Sequence, residues 1–152
     1  MALFGRLVGS WDIEGRFFEE DGRVEEPHQG EWHFGWVLEG RAVQDVLIRP
    51  PRAGRADGQV SGEYGTTVRI YDPGIDGWRM TWMASVSGRV VNLIAREHGD
   101  EIWIEGTGPE GNPYRWTFSE ITGDSFRWQG YVSEDAGVTW FRGQEMIARR
   151  RL

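Results

Sequence analysis

The chain contains no cysteine and no lysine. The absence of cysteine excludes disulfides, thiolate metal ligands and thiol nucleophiles. Because all 17 basic residues are arginine, the composition is typical of a GC-rich bacterial genome. No apolar run approaches the ~20 residues of a membrane-spanning helix, and the N-terminal sequence MALFGRLVG lacks the charged start and long apolar core of a signal peptide. We therefore expect a cytoplasmic protein with no membrane partner.

Positive charge is also scarce. The sequence has 24 acidic residues against 17 basic ones, which gives a net charge of −7, whereas nucleic-acid-binding domains carry a basic surface. The one basic run, Arg149 to Arg151, is too short to supply such a surface. We therefore expect no nucleic acid as a partner.

Aromatic residues are plentiful by contrast. Nine Trp, seven Phe and four Tyr stand among 152 residues, and aromatic side chains of this size pack in a core, line a cavity or meet a partner. A chain of this length is expected to form one domain, residues 1–152, and to bury roughly 70% of its unfolded surface.

Apolar residues alternate with period two and are almost nowhere at helical spacing, while 22 glycines and other turn residues interrupt them at short intervals. This pattern predicts about ten strands: Ser10–Phe18, Glu31–Leu38, Arg41–Arg49, Tyr64–Tyr71, Trp78–Ser85, Arg89–Arg96, Glu101–Gly106, Tyr114–Glu120, Ser125–Val132 and Val138–Arg149. Consecutive strands without crossover helices form an antiparallel meander, and closure into a barrel removes its exposed edges. The sequence therefore predicts an all-β fold, a single antiparallel up-and-down β-barrel.

Two segments fall outside this pattern. A short helical turn around Leu3 to Val8 is expected to plug one end of the barrel. The longest irregular segment, Arg49 to Gly62, contains Pro50-Pro51 and several glycines, and connections of this length are often functional or disordered. We expect it to form a mobile loop at the rim.

The triplet Gly9-Ser10-Trp11 resembles the Gly-x-Trp opening of lipocalin-type (calycin) barrels. This resemblance implies that Trp11 packs across the closed end and that an arginine late in the last strand, Arg149 or Arg150, stacks on it with a cation–π contact worth ~1 kcal/mol. Two longer stretches, Trp36–Val46 and Tyr64–Pro73 with Trp78 beyond, resemble a bacterial family of lipocalin-like domains of unknown function. The resemblance covers most of the chain and implies a lipocalin-like fold, but no activity.

Two better-known groups of barrels are only distantly similar. Fatty-acid-binding proteins insert a helical pair after the first strand, whereas here about ten residues, Glu20 to Gln29, separate the first two strands. Nitrobindin-like haem barrels open with Gly-x-Trp-x-Gly-x-Gly, whereas Gly9 to Gly15 reads GSWDIEG. We therefore expect no haem and no other cofactor.

The segment Ser133-Glu-Asp135-Ala-Gly137-Val-Thr-Trp140 resembles the Asp-box of sialidase propellers. In such a turn the Ser and Asp side chains bond backbone amides, the glycine takes a positive φ and the tryptophan packs beneath. A propeller needs at least four blades of four strands, and this chain contains one copy of the motif. We interpret it as a structural turn without a catalytic role.

No catalytic or metal-binding motif accompanies the strands. His28, His33 and His98 are the only histidines, and nothing in their spacing predicts the convergence that a metal site requires. A serine-hydrolase elbow Gly-x-Ser-x-Gly is absent. The glycines interrupt strands rather than open a helix, so no phosphate-binding loop is expected either.

Polar residues do share strand faces with aromatic residues. A tight turn at Glu39-Gly40 pairs Phe34 with Asp45 and Trp36 with Val43, while Arg142 and Gln144 alternate in phase with Trp140 and Met146. Aromatic walls with a few convergent polar groups are the usual composition of a small-molecule site. The predicted ligand-binding residues are Trp32, Phe34, Trp36, Asp45, Arg69, Tyr71, Trp78, Trp82, Trp116, Trp128, Arg142 and Gln144.

Inward charges would need partners, such as Asp45 with Arg69, because an unpaired buried charge costs several kcal/mol. We interpret the chain as an intracellular binder of a small apolar or amphipathic ligand. One alternative is a lyase or isomerase in which Arg69 stabilises an oxyanion and Tyr71 or Asp45 transfers a proton. The other is a packed barrel whose aromatic residues build only a core and a homodimer interface.

Overall fold

The computed structural model describes residues 3–53 and 62–152. The strands that it contains are β1 (Gly9–Phe17), β2 (His28–Val37), β3 (Ala42–Ile48), β4 (Tyr64–Asp72), β5 (Gly77–Ala84), β6 (Val90–His98), β7 (Glu101–Thr107), β8 (Pro113–Ser119), β9 (Ser125–Val132) and β10 (Phe141–Arg150). The described helical segments are two short 3₁₀ turns, Gly5–Leu7 and Leu38–Gly40. The all-β prediction is confirmed.

Each strand pairs antiparallel with the next one in sequence, and β1 pairs with β10 to close the barrel. The register between β2 and β3 is the predicted one, with Phe34 opposite Asp45 and Trp36 opposite Val43. Because side chains alternate across a strand, this register directs Phe34 and Asp45 to the same interior face. The predicted up-and-down topology is confirmed.

The N-terminal turn plugs one end of the barrel, as predicted. Phe4 and Leu7 are fully buried, and the Trp11 indole donates a hydrogen bond to the Leu7 carbonyl oxygen over 2.8 Å. The guanidinium of Arg150 lies 4.2 Å from the centre of the Trp11 ring. Its Nη1 also donates to the Val8 carbonyl oxygen. Of the two arginines implied by the lipocalin resemblance, Arg150 therefore makes the stacking contact.

The half of the barrel next to the plug is filled with aromatic side chains. Phe4 meets Trp78 edge-on, with ring centres 5.3 Å apart, and Phe34 meets Phe126 at 6.2 Å. Phe118 lies 5.5 Å from Phe126. These contacts fill the plugged end of the barrel with aromatic side chains.

The last strand begins at Phe141 rather than at the predicted Val138, because the residues before it form the Asp-box turn. The Ser133 hydroxyl accepts a hydrogen bond from the Gly137 amide over 2.8 Å, and Asp135 accepts one from the Thr139 amide over 2.7 Å. Gly137 has a φ of +89°. The predicted turn geometry is confirmed.

A β-bulge at Gly143 interrupts the pairing of β10 with β9. Arg142 lies opposite Tyr131 while Gln144 lies opposite Gly130, so Gly143 has no partner in the ladder. A bulge inserts one extra residue and breaks the alternation of faces at that point. Arg142 and Gln144 therefore do not share a face, contrary to the sequence prediction.

The predicted rim loop falls partly outside the described residues, which end at 53 and resume at 62. The described start of this segment is fixed to the outer wall of the barrel. Glu31, whose side chain is 3% exposed, accepts hydrogen bonds from the Arg52 backbone amide at 2.7 Å and from Arg52 Nη2 at 2.9 Å. Burial favours a raised pKa for the Glu31 carboxyl, but hydrogen bonds from Arg52 and His33 lower it to about 2.

Candidate ligand-binding site

A cavity of about 310 Å³ occupies the half of the barrel away from the plug. This volume lies at the small end of the range for ligand pockets, roughly 300–1,000 Å³. The lining residues are Phe17, Trp32, Leu47, Glu63, Thr67, Arg69, Met80, Trp82, Arg89, Ile104, Tyr114, Trp116, Trp128, Gly130, Tyr131, Val132, Gly143, Gln144 and Met146. Phe17, Glu63, Trp82 and Arg89 also line a second hollow at the mouth. The cavity and the hollow therefore meet at these four residues.

Tryptophan rings form much of the cavity wall. Trp116 on β8 and Trp128 on β9 lie with ring centres 5.7 Å apart. Trp32 on β2 and Trp82 on β5 add two more indole rings to the wall. Gly130 makes room for this arrangement, since a Cβ atom there would lie 2.7 Å from the Trp128 ring. Any larger residue at this position would push the indole out of place.

An ion pair lies at the inner end of the cavity. Nη1 of Arg69 is 2.7 Å from Oδ2 of Asp45, and the two side chains are 2% and 0% exposed. The Arg69 guanidinium also lies 4.8 Å from the Phe4 ring and 5.4 Å from the Phe34 ring. The pairing of Asp45 with Arg69 that the sequence analysis required is therefore present.

The groups around Asp45 have opposite effects on the pKa of its carboxyl. Burial is the largest influence and raises the pKa of the Asp45 carboxyl overall, although the charge of Arg69 and the indole N–H of Trp32 act to lower it. Although Nη1 of Arg69 and Oδ2 of Asp45 are 2.7 Å apart, neither atom makes a hydrogen bond of regular geometry within the described residues, and the same holds for Trp32 Nε1. The contact is therefore an ion pair.

Two further ion pairs lie at the mouth. Arg49, with a side chain only 5% exposed, binds Glu63 over 2.7 Å, and Arg89 binds Glu110 over 3.2 Å. The Tyr114 hydroxyl donates to Glu110 over 2.6 Å and also contacts Arg89. The two charged residues that the cavity shares with the hollow, Glu63 and Arg89, therefore each have a partner of opposite charge.

His28 lies in the mouth hollow beside Arg49. Its ring stacks on Phe17 with centres 5.0 Å apart. Burial lowers the pKa of His28 to about 4, and the positive charge of Arg49 lowers it in the same direction. His28 is therefore neutral at pH 7, and it begins β2 rather than lying in the loop that the sequence suggested.

Gln144 is a polar lining residue without a fixed partner. Its side chain points into the barrel because it alternates in phase with the inward-facing Met146, and it faces the side-chain-free Gly130 on the neighbouring strand. Its buried Nε2 has no hydrogen-bond partner within the described residues. An amide in this state can turn to present either its N–H groups or its oxygen to a bound molecule.

Six of the twelve predicted ligand residues line the cavity: Trp32, Arg69, Trp82, Trp116, Trp128 and Gln144. Phe34 and Asp45 point inward but lie below the cavity, where they surround Arg69. These eight residues share the interior that the sequence analysis assigned to them.

The other four predicted residues do not line the cavity, and the structure gives a physical reason for each. Trp36 is 43% exposed and packs against Gly5 beyond the end of the barrel interior. The Tyr71 hydroxyl donates to Asp76 over 2.6 Å at the plugged end, and Trp78 is buried against Phe4. These three positions have the predicted inward phase, but the plug occupies their level of the barrel.

Arg142 has the wrong phase. Because Gly143 is an extra residue in the strand, the Arg142 side chain binds Glu145 over 3.2 Å and lies 4.4 Å from the centre of the Phe18 ring. It does not line the cavity. Its assignment to the interior was wrong, because strict alternation cannot represent a bulge.

Several lining residues were not predicted, although their phase could have identified them. Thr67 stands two positions before Arg69 on β4, and Tyr114 two before Trp116 on β8. Met80 lies between Trp78 and Trp82 on the inward face of β5. Arg89 begins the predicted strand Arg89–Arg96 in phase with the buried Val91, so alternation could have identified it as well. Glu63 lies just before β4, where alternation provides no signal.

No group of three or more potential metal ligands occurs in residues 3–53 and 62–152. His33 instead shares hydrogen bonds with Ser10 at 2.8 Å and Glu31 at 2.7 Å on the outer wall, and His98 stacks on Trp103. Within the same residues no helix is long and apolar enough to cross a membrane.

No family model and no curated protein matches the sequence. Among solved structures, the barrel is similar to an S-type phycobiliprotein lyase, CPES from Guillardia theta, with a TM-score of 0.62 at 13% identity over 98% of this chain and 90% of that one. It is also similar to Rv2717c from M. tuberculosis, with a TM-score of 0.61 at 16% identity over 98% and 95% of the two chains. At these identities the similarity shows the fold alone, and it agrees with the expected lipocalin-like barrel.

Proposed function

We propose that this barrel binds a small, largely apolar molecule in its cavity. The observation that carries the proposal is the cavity itself, since it is lined by indole rings and meets a hollow at the mouth of the barrel. A core that served stability alone would be packed to crystal-like density. Concave, mostly apolar sites with a few polar groups are the common form of small-molecule pockets.

The residues proposed to contact the ligand are those of the predicted set that line the cavity. Trp82, Trp116 and Trp128 provide flat apolar surface, and Gln144 provides a polar group that can adapt to the ligand. Aromatic walls of this kind should bind flat ring systems more tightly than flexible chains, because offset ring contacts add about 0.5–1.5 kcal/mol of binding free energy beyond area burial.

Catalysis receives less support than binding. The proton-transfer candidates of the enzyme hypothesis are Asp45 and Tyr71, but Asp45 is fully buried beneath Arg69 and the Tyr71 hydroxyl bonds Asp76 outside the cavity. A general acid or base must come within hydrogen-bond reach of the reacting group. The name of one structural neighbour, a phycobiliprotein lyase, keeps a lyase as the second candidate.

A fluorescent probe tests the binding proposal directly. N-phenylnaphthylamine is apolar, uncharged and built from two flat ring systems, and its emission rises when it leaves water. We expect saturable binding with a Kd in the micromolar range, about −8 kcal/mol. The variant Val132→Trp places a large side chain on a half-buried lining position near the mouth and should weaken binding at least tenfold.

The matched control is Val90→Trp, which adds the same side chain at a position that is 45% exposed on the outer face of β6. This variant should bind the probe as the parent does. Equal weakening in both variants, or no saturable binding by the parent, would contradict the proposed function.

A further inference from the structure

We infer that the ligand of this cavity is electrically neutral and carries a hydrogen-bonding group that meets Gln144. The inference rests on the proposed function and deepens it by naming the class of ligand.

Every charged residue of the cavity lining already has a partner of opposite charge. The three charged side chains of the cavity are Glu63, Arg69 and Arg89. Their partners are Arg49 at 2.7 Å, Asp45 at 2.7 Å and Glu110 at 3.2 Å, respectively. All three partners lie outside the cavity lining. The formal charges of the lining and its immediate partners therefore sum to zero.

A charged ligand of either sign would bind this cavity at an energetic cost. An anion would have to compete with the buried Asp45 for Arg69, and it would pass Glu25 and Glu26 in the mouth hollow. It would also approach a chain with a net charge of −7. A cation would meet the guanidinium groups of Arg69 and Arg89. Removal of an unpaired charge from water into such a cavity is costly.

Gln144 is an uncharged polar group of the lining that could meet the ligand. The guanidinium of Arg69 is ion-paired with Asp45 over 2.7 Å, and the indole N–H of Trp32 acts on the same carboxyl, although neither reaches hydrogen-bond geometry. The buried Nε2 of Gln144 also lacks a hydrogen bond among the described residues, and Gln144 carries no charge that an ion pair could satisfy. A primary amide is uncharged and can act as donor or acceptor. It matches a ketone, amide or arylamine group on an otherwise apolar ligand.

A pair of probes with one skeleton separates neutral from anionic recognition. Anilinonaphthalene sulfonate differs from N-phenylnaphthylamine mainly by its sulfonate group. We expect the neutral probe to bind the parent protein at least about tenfold more tightly. Its Kd should also stay unchanged between low and high salt, because a neutral ligand has no charge to be screened.

The variant Glu110→Gln tests whether paired charges cause this preference. Glu110 is 56% exposed, so the substitution leaves the core intact while it frees Arg89 at the mouth. Affinity for the sulfonate should rise several-fold and affinity for the neutral probe should not change. The outward-facing Glu105, which pairs with Arg115 at 3.0 Å on the outer wall, provides the matched control Glu105→Gln, for which neither affinity should change.

The outcomes are distinguishable. If the sulfonate binds the parent as tightly as the neutral probe, or if Glu110→Gln leaves the preference unchanged, the inference is wrong while the proposed function stands. If neither probe binds saturably, the proposed function fails and the inference fails with it.

Discussion

At the scale of single residues, the buried pair of Asp45 and Arg69 is the feature with the largest energetic consequence. Both side chains are almost completely excluded from water. Removal of one partner of such a pair leaves an uncompensated buried charge and typically costs 3–5 kcal/mol, whereas replacement of both by apolar residues is often close to neutral. The pair therefore predicts a non-additive response to mutation.

We expect Arg69→Met to lower the free energy of unfolding by about 3–5 kcal/mol, because Asp45 loses its counter-charge. The double variant Asp45→Leu with Arg69→Met should recover at least half of that loss. Urea denaturation of the three proteins measures both effects. A double variant that is no more stable than Arg69→Met alone would show that the unpaired carboxylate is not the source of the cost.

Gln144 predicts a selective effect on binding. Replacement by leucine keeps the side-chain size and removes the amide, so a ligand with a carbonyl group loses one hydrogen bond of about 0.5–1.5 kcal/mol. Gln144→Leu should therefore weaken the binding of acetonaphthone by about three- to tenfold and leave the binding of ethylnaphthalene unchanged. Titration of tryptophan fluorescence measures both affinities. Equal effects on the two compounds would argue against contact with the amide.

At the scale of elements, the Asp-box turn before β10 depends on the backbone of Gly137. Its φ of +89° lies in the region that β-branched residues avoid. Gly137→Val should lower the free energy of unfolding by about 1–3 kcal/mol through backbone strain. Gly123→Val is the control, since Gly123 has no left-handed φ and no atom would lie within 4 Å of its Cβ. Similar melting temperatures for the two variants would contradict the turn geometry.

The start of β2 predicts a pH dependence of stability. Burial holds the pKa of His28 at about 4 in the folded protein, against about 6.5 in an unfolded chain. Between these values the unfolded chain binds more protons, so stability is fully present above pH 6.5 and falls as the pH decreases towards 4. His28→Gln should flatten this part of a plot of unfolding free energy against pH. An unchanged slope would exclude His28 as its source.

The elements also show which parts of the site were predictable. Alternation correctly placed Trp82, Trp116 and Trp128 inside the barrel, because the period of a strand specifies the face of each side chain. It failed at Arg142, since the extra residue Gly143 shifts the phase of β10. A single glycine in a strand is compatible with a bulge but does not require one.

At the scale of the whole molecule, the fold was predictable because many short amphipathic strands without helices have few ways to hide their edges. The position of the cavity along the barrel axis was not. Trp78 and Trp82 have the same inward phase, yet Trp78 packs against Phe4 of the plug while Trp82 lines the cavity. Sequence period determines the face of a residue, whereas its level depends on barrel closure and on the packing of the N-terminal turn.

The overall fold by itself says little about function. The two similar solved structures share 13% and 16% identity with this chain, and one barrel architecture supports many unrelated activities. The functional account therefore depends on the lining of the cavity and the pairing of its charges. Because the chain has only four methionines, their methyl signals can report separately on the inside and the outside of the barrel wall.

Nuclear magnetic resonance of the methionine methyl groups tests the central claim most directly. Met80 and Met146 line the cavity, whereas Met83 is 53% exposed on the outer face of β5. On titration with N-phenylnaphthylamine, we predict large saturable shifts of the Met80 and Met146 signals and none for Met83, because ring currents act only at short range. A saturable shift of Met83 with unchanged Met80 and Met146 would place the probe outside the barrel and contradict the account.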